Sequence, residues 1–214
     1  MNNKIYQSQV WDGKFGVRYT NRNTFTYTEW NKMYKDRFGF TKETLNKNFL
    51  NKVPKKIKIL ELGCNIGSQL RCLYKMGYKN LNGVELQYHC LKKLRNNFDM
   101  INGVQSTIYK LPFKNNSFDL VFTNNVLIHI HPKKIKIVLK EMHRVSSSFI
   151  WGSEYYSKNY KEVIYRKKKN LLWKADFASI FLKTFKNLKL LKQKFLLNKI
   201  NKIEIDSMYL LKKK

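Results

Sequence analysis

From Thr26 to Leu50 the apolar positions (Trp30, Met33, Tyr34, Phe38, Leu45, Phe49 and Leu50) fall mostly at helical spacing, which predicts a helical stretch. Residues 1–23, ahead of it, carry aromatics and turn residues with weak periodicity. Pro54 and its lysines end that section, and the pattern then alternates. Ile57–Leu62 is a short apolar, β-branched run bounded by Gly63, Ser68–Met76 has helical spacing, Leu81–Leu86 reads as strand, Tyr88–Phe98 as helix, and a further short run begins near Ile101. Repeated strand–helix units predict an α/β fold with a parallel sheet. Asp119–Thr123 is continuously apolar after its first residue, as expected of a central strand covered on both faces. Pro132 suits the first turn of a helix reaching about Arg144. Ser148–Glu154 reads as the next strand, Lys174–Phe185 as the next helix, and Leu188–Leu197 and Ile203–Leu211 as two closing strands. There is no internal repeat, and the expected organisation is one domain: an N-terminal lid or helical segment over residues 1–52 and a core over 53–214.

Composition narrows the class. With 43% hydrophobic and 14% aromatic residues over 214 positions, the chain is neither disordered nor collagen-like and is long enough for a self-sufficient core. Its formal charge of +29 invites a nucleic-acid reading. The basic residues are 36 Lys but only 7 Arg, alongside 23 Asn and 16 Ile, a profile that A- and T-rich codons produce. Specific phosphate and base readers rely on the bidentate fork of Arg. The net charge is also spread, at +5 over residues 1–50, +12 over 51–150 and +12 over 151–214, so a solvated lysine surface is the simpler reading. Cys64, Cys72 and Cys90 lack the close pairing of a zinc site, which predicts reduced thiols, no metal and a cytoplasmic protein. No apolar stretch approaches the roughly 18 residues of a membrane span.

The most informative stretch is Lys58-Ile-Leu-Glu-Leu-Gly-Cys-Asn-Ile-Gly67, a strand entering a Gly-rich turn and then a helix. Such a turn lets backbone approach a ligand at the carboxyl edge of the first strand. A P-loop would need GxxxxGK[ST], and Gly67 is followed by Ser68 with no lysine. A dinucleotide fingerprint would need GxGxxG, and only Gly63 and Gly67 are present. Glu61 would repel a pyrophosphate and attract a cation. Eighteen residues after Gly67 the second strand ends in Glu85, where an acid accepts from ribose hydroxyls. A cationic ligand carrying adenosine, S-adenosylmethionine, satisfies both acids.

At these residues the sequence resembles the class I methyltransferases, with E/DxGxxxG after the first strand, an acid after the second, and Phe118-Asp-Leu-Val-Phe-Thr-Asn-Asn-Val-Leu-Ile-His-Ile130 as the fourth strand and its trailing loop. The resemblance implies a Rossmann-like fold with a seven-stranded, mostly parallel sheet whose last strand is antiparallel, preceded by a helical lead-in. It implies a cofactor site of Glu61, Gly63, Cys64, Asn65, Gly67, Glu85, Leu86, Thr123 and Asn124. The family often places an Asp near the end of the third strand for the adenine amino group. Here Ser106 or Thr107 holds that neighbourhood, and either hydroxyl can accept one hydrogen bond.

Further pieces narrow the match. Val10-Trp-Asp-Gly-Lys-Phe-Gly-Val-Arg-Tyr-Thr-Asn-Arg-Asn23, Glu61 to Gly67, Val126-Leu-Ile-His-Ile130, Ser153-Glu-Tyr-Tyr156, Tyr165-Arg166 and Lys174-Ala-Asp-Phe177 together resemble the methylases associated with pseudaminic acid biosynthesis, over about residues 8–212. That implies a sugar-pathway methyltransferase. The family tends to follow its Tyr-Arg with Gly-His, where this chain has Lys167–Lys169, and Ala175 replaces a usual Arg; if those positions touch substrate, the acceptor differs or is more anionic.

Methyl transfer from a sulfonium is an in-line displacement, helped mainly by positioning and exclusion of water, with a base needed when the acceptor is a hydroxyl. His129, just beyond the fourth strand, is the candidate base; its alternative is to bond locally and fix the loop. Glu154, Tyr155 and Tyr156 end the fifth strand beside the same edge, Glu154 and Tyr155 as catalytic candidates and Tyr156 as a substrate contact. Tyr19, Arg22 and Asn23 precede the core and are expected to fold over the ligands, with Arg22 meeting a carboxylate. Local packing explains neighbouring Trp11 and Phe15 equally well. Arg166, with the lysines after it, is a candidate contact for a phosphorylated sugar, although charge runs are usually solvated. The leading reading is a methyltransferase acting on an amino sugar, nucleotide-linked sugar or glycan precursor. An RNA or DNA methyltransferase is the alternative, drawn from the charge and weakened by Thr123-Asn-Asn-Val126, which lacks an NPPY-type turn. A non-catalytic cofactor-binding partner is a third.

Overall fold

The computed structural model describes residues 5–214. Four helices lead in: α1 (Tyr6–Asp12), α2 (Lys14–Arg22), α3 (Tyr27–Phe38) and α4 (Lys42–Leu50). The described part of the weakly periodic opening segment is thus helical over Tyr6–Arg22, in two short pieces that break at Gly13. α3 starts at a capping box in which Thr26 and Glu29 satisfy each other's backbone amides, and it stops at Gly39, whose φ of 81° is left-handed. Thr41 caps α4.

The alternating core follows as β1 (Ile59–Leu62), α5 (Ser68–Lys75), β2 (Leu81–Glu85), α6 (Tyr88–Asn97), β3 (Asn102–Gln105), β4 (Phe118–Asn124), α7 (Ile135–Val145) and β5 (Ser146–Tyr155). A short ribbon of β6 (Lys161–Glu162) and β7 (Trp173–Lys174) precedes α8 (Phe177–Thr184), and β8 (Leu188–Leu197) and β9 (Ile205–Lys213) close the chain. Two expected helices begin later than the periodicity indicates. Pro132 lies in a turn ahead of α7, which starts at Ile135. Asp176 accepts from the Ser179 amide and so caps α8 at Phe177, leaving Trp173–Lys174 free to pair as β7.

The seven-stranded sheet has the order β3-β2-β1-β4-β5-β9-β8. β1 pairs in parallel with β2 and β4, as do β2 with β3 and β4 with β5, while β9 runs antiparallel to both β5 and β8. This is the Rossmann-like class I methyltransferase architecture, with the last strand antiparallel. Strand alternation divides the core between the two faces. Ile59, Leu120, Phe122, Trp151 and Met208 face α3, α4, α5 and α6. Leu60, Val121, Ile150, Tyr209 and Leu211 face α7 and α8. The helices α3 and α4 therefore belong to the core itself, contributing Tyr34, Phe38, Leu45, Phe49 and Leu50, while α1 and α2 cover the carboxyl edge of the sheet.

Between β5 and β9, Gly152 sits opposite Tyr209, and a Cβ there would meet the Tyr209 ring 2.2 Å away. A buried aromatic face thus replaces the missing side chain. Gly152→Ala forces the Tyr209 ring off its place, and urea unfolding should show a loss of about 1–3 kcal/mol with the slope unchanged.

Candidate functional site

The turn after β1 bends through three left-handed residues: Gly63 (φ 68°), Asn65 (φ 49°) and Gly67 (φ 78°). At two of them a side chain is also excluded. A Cβ on Gly63 would lie 2.7 Å from Val126 Cγ2, and one on Gly67 would lie 2.3 Å from Leu94 Cδ1. The glycines therefore let the β4 loop and α6 close on the turn, and the backbone they shape forms one wall of a cavity at the carboxyl edge of β1, β2 and β4.

Two acids stand at this edge. Glu85 accepts from the amides of Leu86 (2.7 Å) and Gln87 (3.0 Å) on Oε1 and of Asn65 (2.9 Å) on Oε2. It ties the turn to the end of β2 and keeps spare accepting capacity on Oε2. Glu61 is different: it is buried, lines the cavity, and its Oε2 has no hydrogen-bond partner. Burial holds its carboxyl well above the usual range, against the opposing pull of Lys42. Lys42 itself is fully buried. Its Nζ donates to Asn124 Oδ1 at 2.8 Å and to the Tyr34 hydroxyl at 3.2 Å, and desolvation pulls its pKa down to about 8. Because the Asn124 oxygen is taken by this cation, its amide nitrogen carries the hydrogens left for the cavity.

Glu61 is one of several orphans around the same space. Acceptor oxygens on Glu61, Asn65, Gln69, Gln87 and Asn125, the Tyr109 hydroxyl and the indole nitrogens of Trp11 and Trp30 are all buried, unpartnered and part of the cavity lining. Buried polar atoms are nearly always paired, so this concentration marks a place where a ligand supplies the partners. One deeply buried carboxylate among neutral acceptors calls for a cation rich in N–H and O–H donors.

The roof comes from α1 and α2, through Gln7, Ser8, Trp11, Tyr19 and Asn23. Trp11 packs edge-on to both Phe15 and Tyr19, and its ring centre lies 4.5 Å from that of His129. His129 Nδ1 is 2.7 Å from the Leu171 carbonyl. A carbonyl only accepts, so Nδ1 carries the hydrogen and Nε2 is left as a bare acceptor. Burial lowers the His129 pKa to about 4, and the ring is neutral across the physiological range. Burial likewise pushes the Tyr19 phenol up, so it serves as a hydroxyl.

Of the residues expected from the sequence, Glu61, Gly63, Cys64, Asn65, Glu85, Leu86, Ser106, Thr107, Asn124, His129, Tyr19 and Asn23 meet at this cavity. Gly67 and Thr123 stand behind its lining. Five others are placed elsewhere. Glu154 points under the β4 loop, where its carboxylate accepts from the amides of Val126 (3.3 Å) and Ile128 (3.4 Å), and burial raises it to about 7. It positions the loop that bears His129 and is not offered to a substrate. Tyr155 lies beside Arg37, the guanidinium 5.6 Å from its ring centre, and Tyr156 packs on Phe195, both beyond the cavity because the end of β5 is covered by β9. Arg22 and Arg166 are exposed and line no part of it. Lys42, Gln7, Ser8, Trp30, Gln69, Gln87, Tyr109 and Asn125 are among the site residues that sequence reasoning missed; Lys42 is one lysine among 36 and carried no distinguishing signal.

Residues 60–148, which run from β1 into β5 and carry most of this cavity, match the family described as a methyltransferase domain. This segment is similar to methyltransferase domains. An uncharacterised protein of Haemophilus influenzae is 33% identical over 95 residues, a match taking in 41% of this chain and 38% of that protein. The chain thus spans well under half of the curated relative it matches. Among solved structures, magnesium protoporphyrin IX methyltransferase from Synechocystis PCC 6803, with bound SAM, superimposes with a TM-score of 0.71 at 10% identity, covering 100% of each chain. The [4+2]-cyclase SpnF also superimposes, with a TM-score of 0.63 at 10% identity over 88% of this chain and 96% of its own. Likeness at that level establishes the fold; the chemistry rests on the domain match and the cavity.

The His129 environment has a measurable consequence. A histidine held neutral to about pH 4 but protonating near 6.5 when unfolded adds stability that is complete above 6.5 and is lost as pH falls toward 4. His129→Asn keeps a donor toward Leu171 but does not titrate. The stability advantage of the wild-type protein over this variant should therefore shrink by up to about 3 kcal/mol between pH 7 and pH 4 in denaturant titrations.

Proposed function

We propose that this protein is an S-adenosylmethionine-dependent methyltransferase acting on a small, hydroxyl-rich acceptor: an amino sugar, a nucleotide-linked sugar or a related glycan precursor. One observation carries the cofactor assignment, the unpartnered, buried Glu61 carboxylate ringed by neutral acceptors at the turn after β1. The cofactor's ammonium, ribose hydroxyls and adenine amino group are donors for the unpartnered acceptors of this lining, and its sulfonium would supply an electrophilic methyl group. Glu61 would take the ammonium, Glu85 would accept from the ribose through Oε2, and Ser106 and Thr107 would hold the adenine.

On the acceptor side the protein orients, shields and receives a proton. Trp11 and Tyr19 present aromatic surface, and Gln7 and Ser8 present neutral polar groups, a combination suited to a sugar ring. The α1–α2 roof excludes water and favours a small acceptor over a polymer strand. Nε2 of His129 orients an acceptor hydroxyl and takes its proton as the new carbon–oxygen bond forms, when that oxygen has become far more acidic than the imidazolium. The resemblance to methylases of pseudaminic acid pathways supports the sugar acceptor.

Calorimetric titration with S-adenosylmethionine should show saturable binding, and Glu61→Gln should weaken it by about 10- to 100-fold through loss of a charge-assisted hydrogen bond of about 1.5–3 kcal/mol. A labelled-methyl assay across sugar nucleotides, free amino sugars and RNA should give transfer to the sugar panel only. Transfer confined to RNA would overturn the acceptor reading, and saturable binding with no turnover on any acceptor would favour a non-catalytic partner.

A further inference from the structure

The segment joining β8 to β9 projects beyond the carboxyl edge of the sheet, the edge that also bears the cavity, because Asp206 at the start of β9 pairs with Tyr155 at the end of β5. Its tip is unusual for a soluble surface. Ile200 is 78% exposed and Ile203 87%, with Phe195 and Leu197 exposed on the adjoining strand. Lys199 and Lys202 alternate with them. The tip's one acid, Glu204, is engaged by Arg37 at 3.0 Å and by Asn198. On the same edge, the loop after β5 carries Ile164, 63% exposed, between Lys161 and the run Arg166 to Lys169. Among the described residues none of these cations pairs with a carboxylate.

Two projections at this edge that each combine exposed isoleucine with unpaired lysine define the partner's chemistry. It has an apolar interior and a negatively charged surface. A second copy of the chain, itself at +29, would set lysine against lysine. RNA would satisfy the lysines, but aliphatic isoleucines neither stack on bases nor hydrogen-bond to them. We propose that the β8–β9 tip and the β5–β7 loop together form a docking face for an anionic lipid bilayer, the isoleucines entering the headgroup boundary and the lysines meeting the lipid charge. This holds the protein peripherally: no helix among the described residues is long and apolar enough to cross a membrane. The proposal stands independently of the acceptor's identity.

The test is sedimentation of the full chain with vesicles of phosphatidylcholine alone or mixed with phosphatidylglycerol. Binding is expected only to the anionic vesicles and should fall as salt rises. Ile200→Asn/Ile203→Asn should lower the partition coefficient about tenfold with an unchanged melting temperature, since both side chains are in solvent. Lys199→Glu/Lys202→Glu should lower it at least about fivefold for each lysine. Absence of binding to anionic vesicles would overturn the proposal, as would an isoleucine variant that binds like wild type. Dimerisation abolished by the isoleucine substitutions, without vesicle binding, would assign the face to a second copy and also overturn it. So would salt-sensitive RNA binding that the isoleucine substitutions leave intact.

Discussion

A carboxylate buried without its full complement of hydrogen bonds is among the costlier features a fold can retain, and Glu61 at the end of β1 is one. The surrounding structure is arranged to tolerate it. Lys42, equally buried, supplies an opposing charge from behind the site while its own bonds go to Asn124 and Tyr34. That lysine reaches the site because α4 is packed into the core beside α3 and α5, with Leu45, Phe49 and Leu50 fully covered. The hydrophobic face of the lead-in and the electrostatics of the cavity are therefore one arrangement. What remains unsatisfied is the outward oxygen of Glu61, and its natural partner is a bound cation.

The same economy governs the other side of the cavity. Glu154 spends its carboxylate on the amides of the β4 loop, and that loop in turn brings Val126 against Gly63 and swings His129 under Trp11. The Leu171 carbonyl then selects the tautomer of His129 from a segment 42 residues away in sequence. Each of these contacts is modest by itself. Together they hold an uncharged nitrogen acceptor at the edge of a roofed cavity, which a solvent-exposed histidine near its ordinary pKa would not provide.

Charge, which dominates the composition, acts elsewhere. Most lysines are solvated and spread over the surface, consistent with compositional drift, and one buried cation, Lys42, stands behind the cavity. The exception is the carboxyl edge, where unpaired cations are interleaved with exposed isoleucines on two projecting loops. Functional and incidental charge are separated there by what accompanies the lysines.

The alternation of short apolar runs with helical stretches determined the sheet, its parallel core and the turn after β1, because strand and helix periodicity are properties of neighbouring residues. Glu61, Gly63 and Glu85 were legible for the same reason: their spacing from strand ends puts them at the carboxyl edge whatever surrounds them. Tertiary structure alone decided which residues beside that edge face the cavity. Glu154, Tyr155 and Tyr156 sit at a strand end that looks equivalent in sequence, but β9 lies against β5 there and the β4 loop takes the carboxylate. Lys42 and the α1 residues joined the site through helix packing across distances that no local pattern encodes. Periodicity specifies an element and its faces, whereas the neighbour each face meets depends on how the whole chain closes on itself.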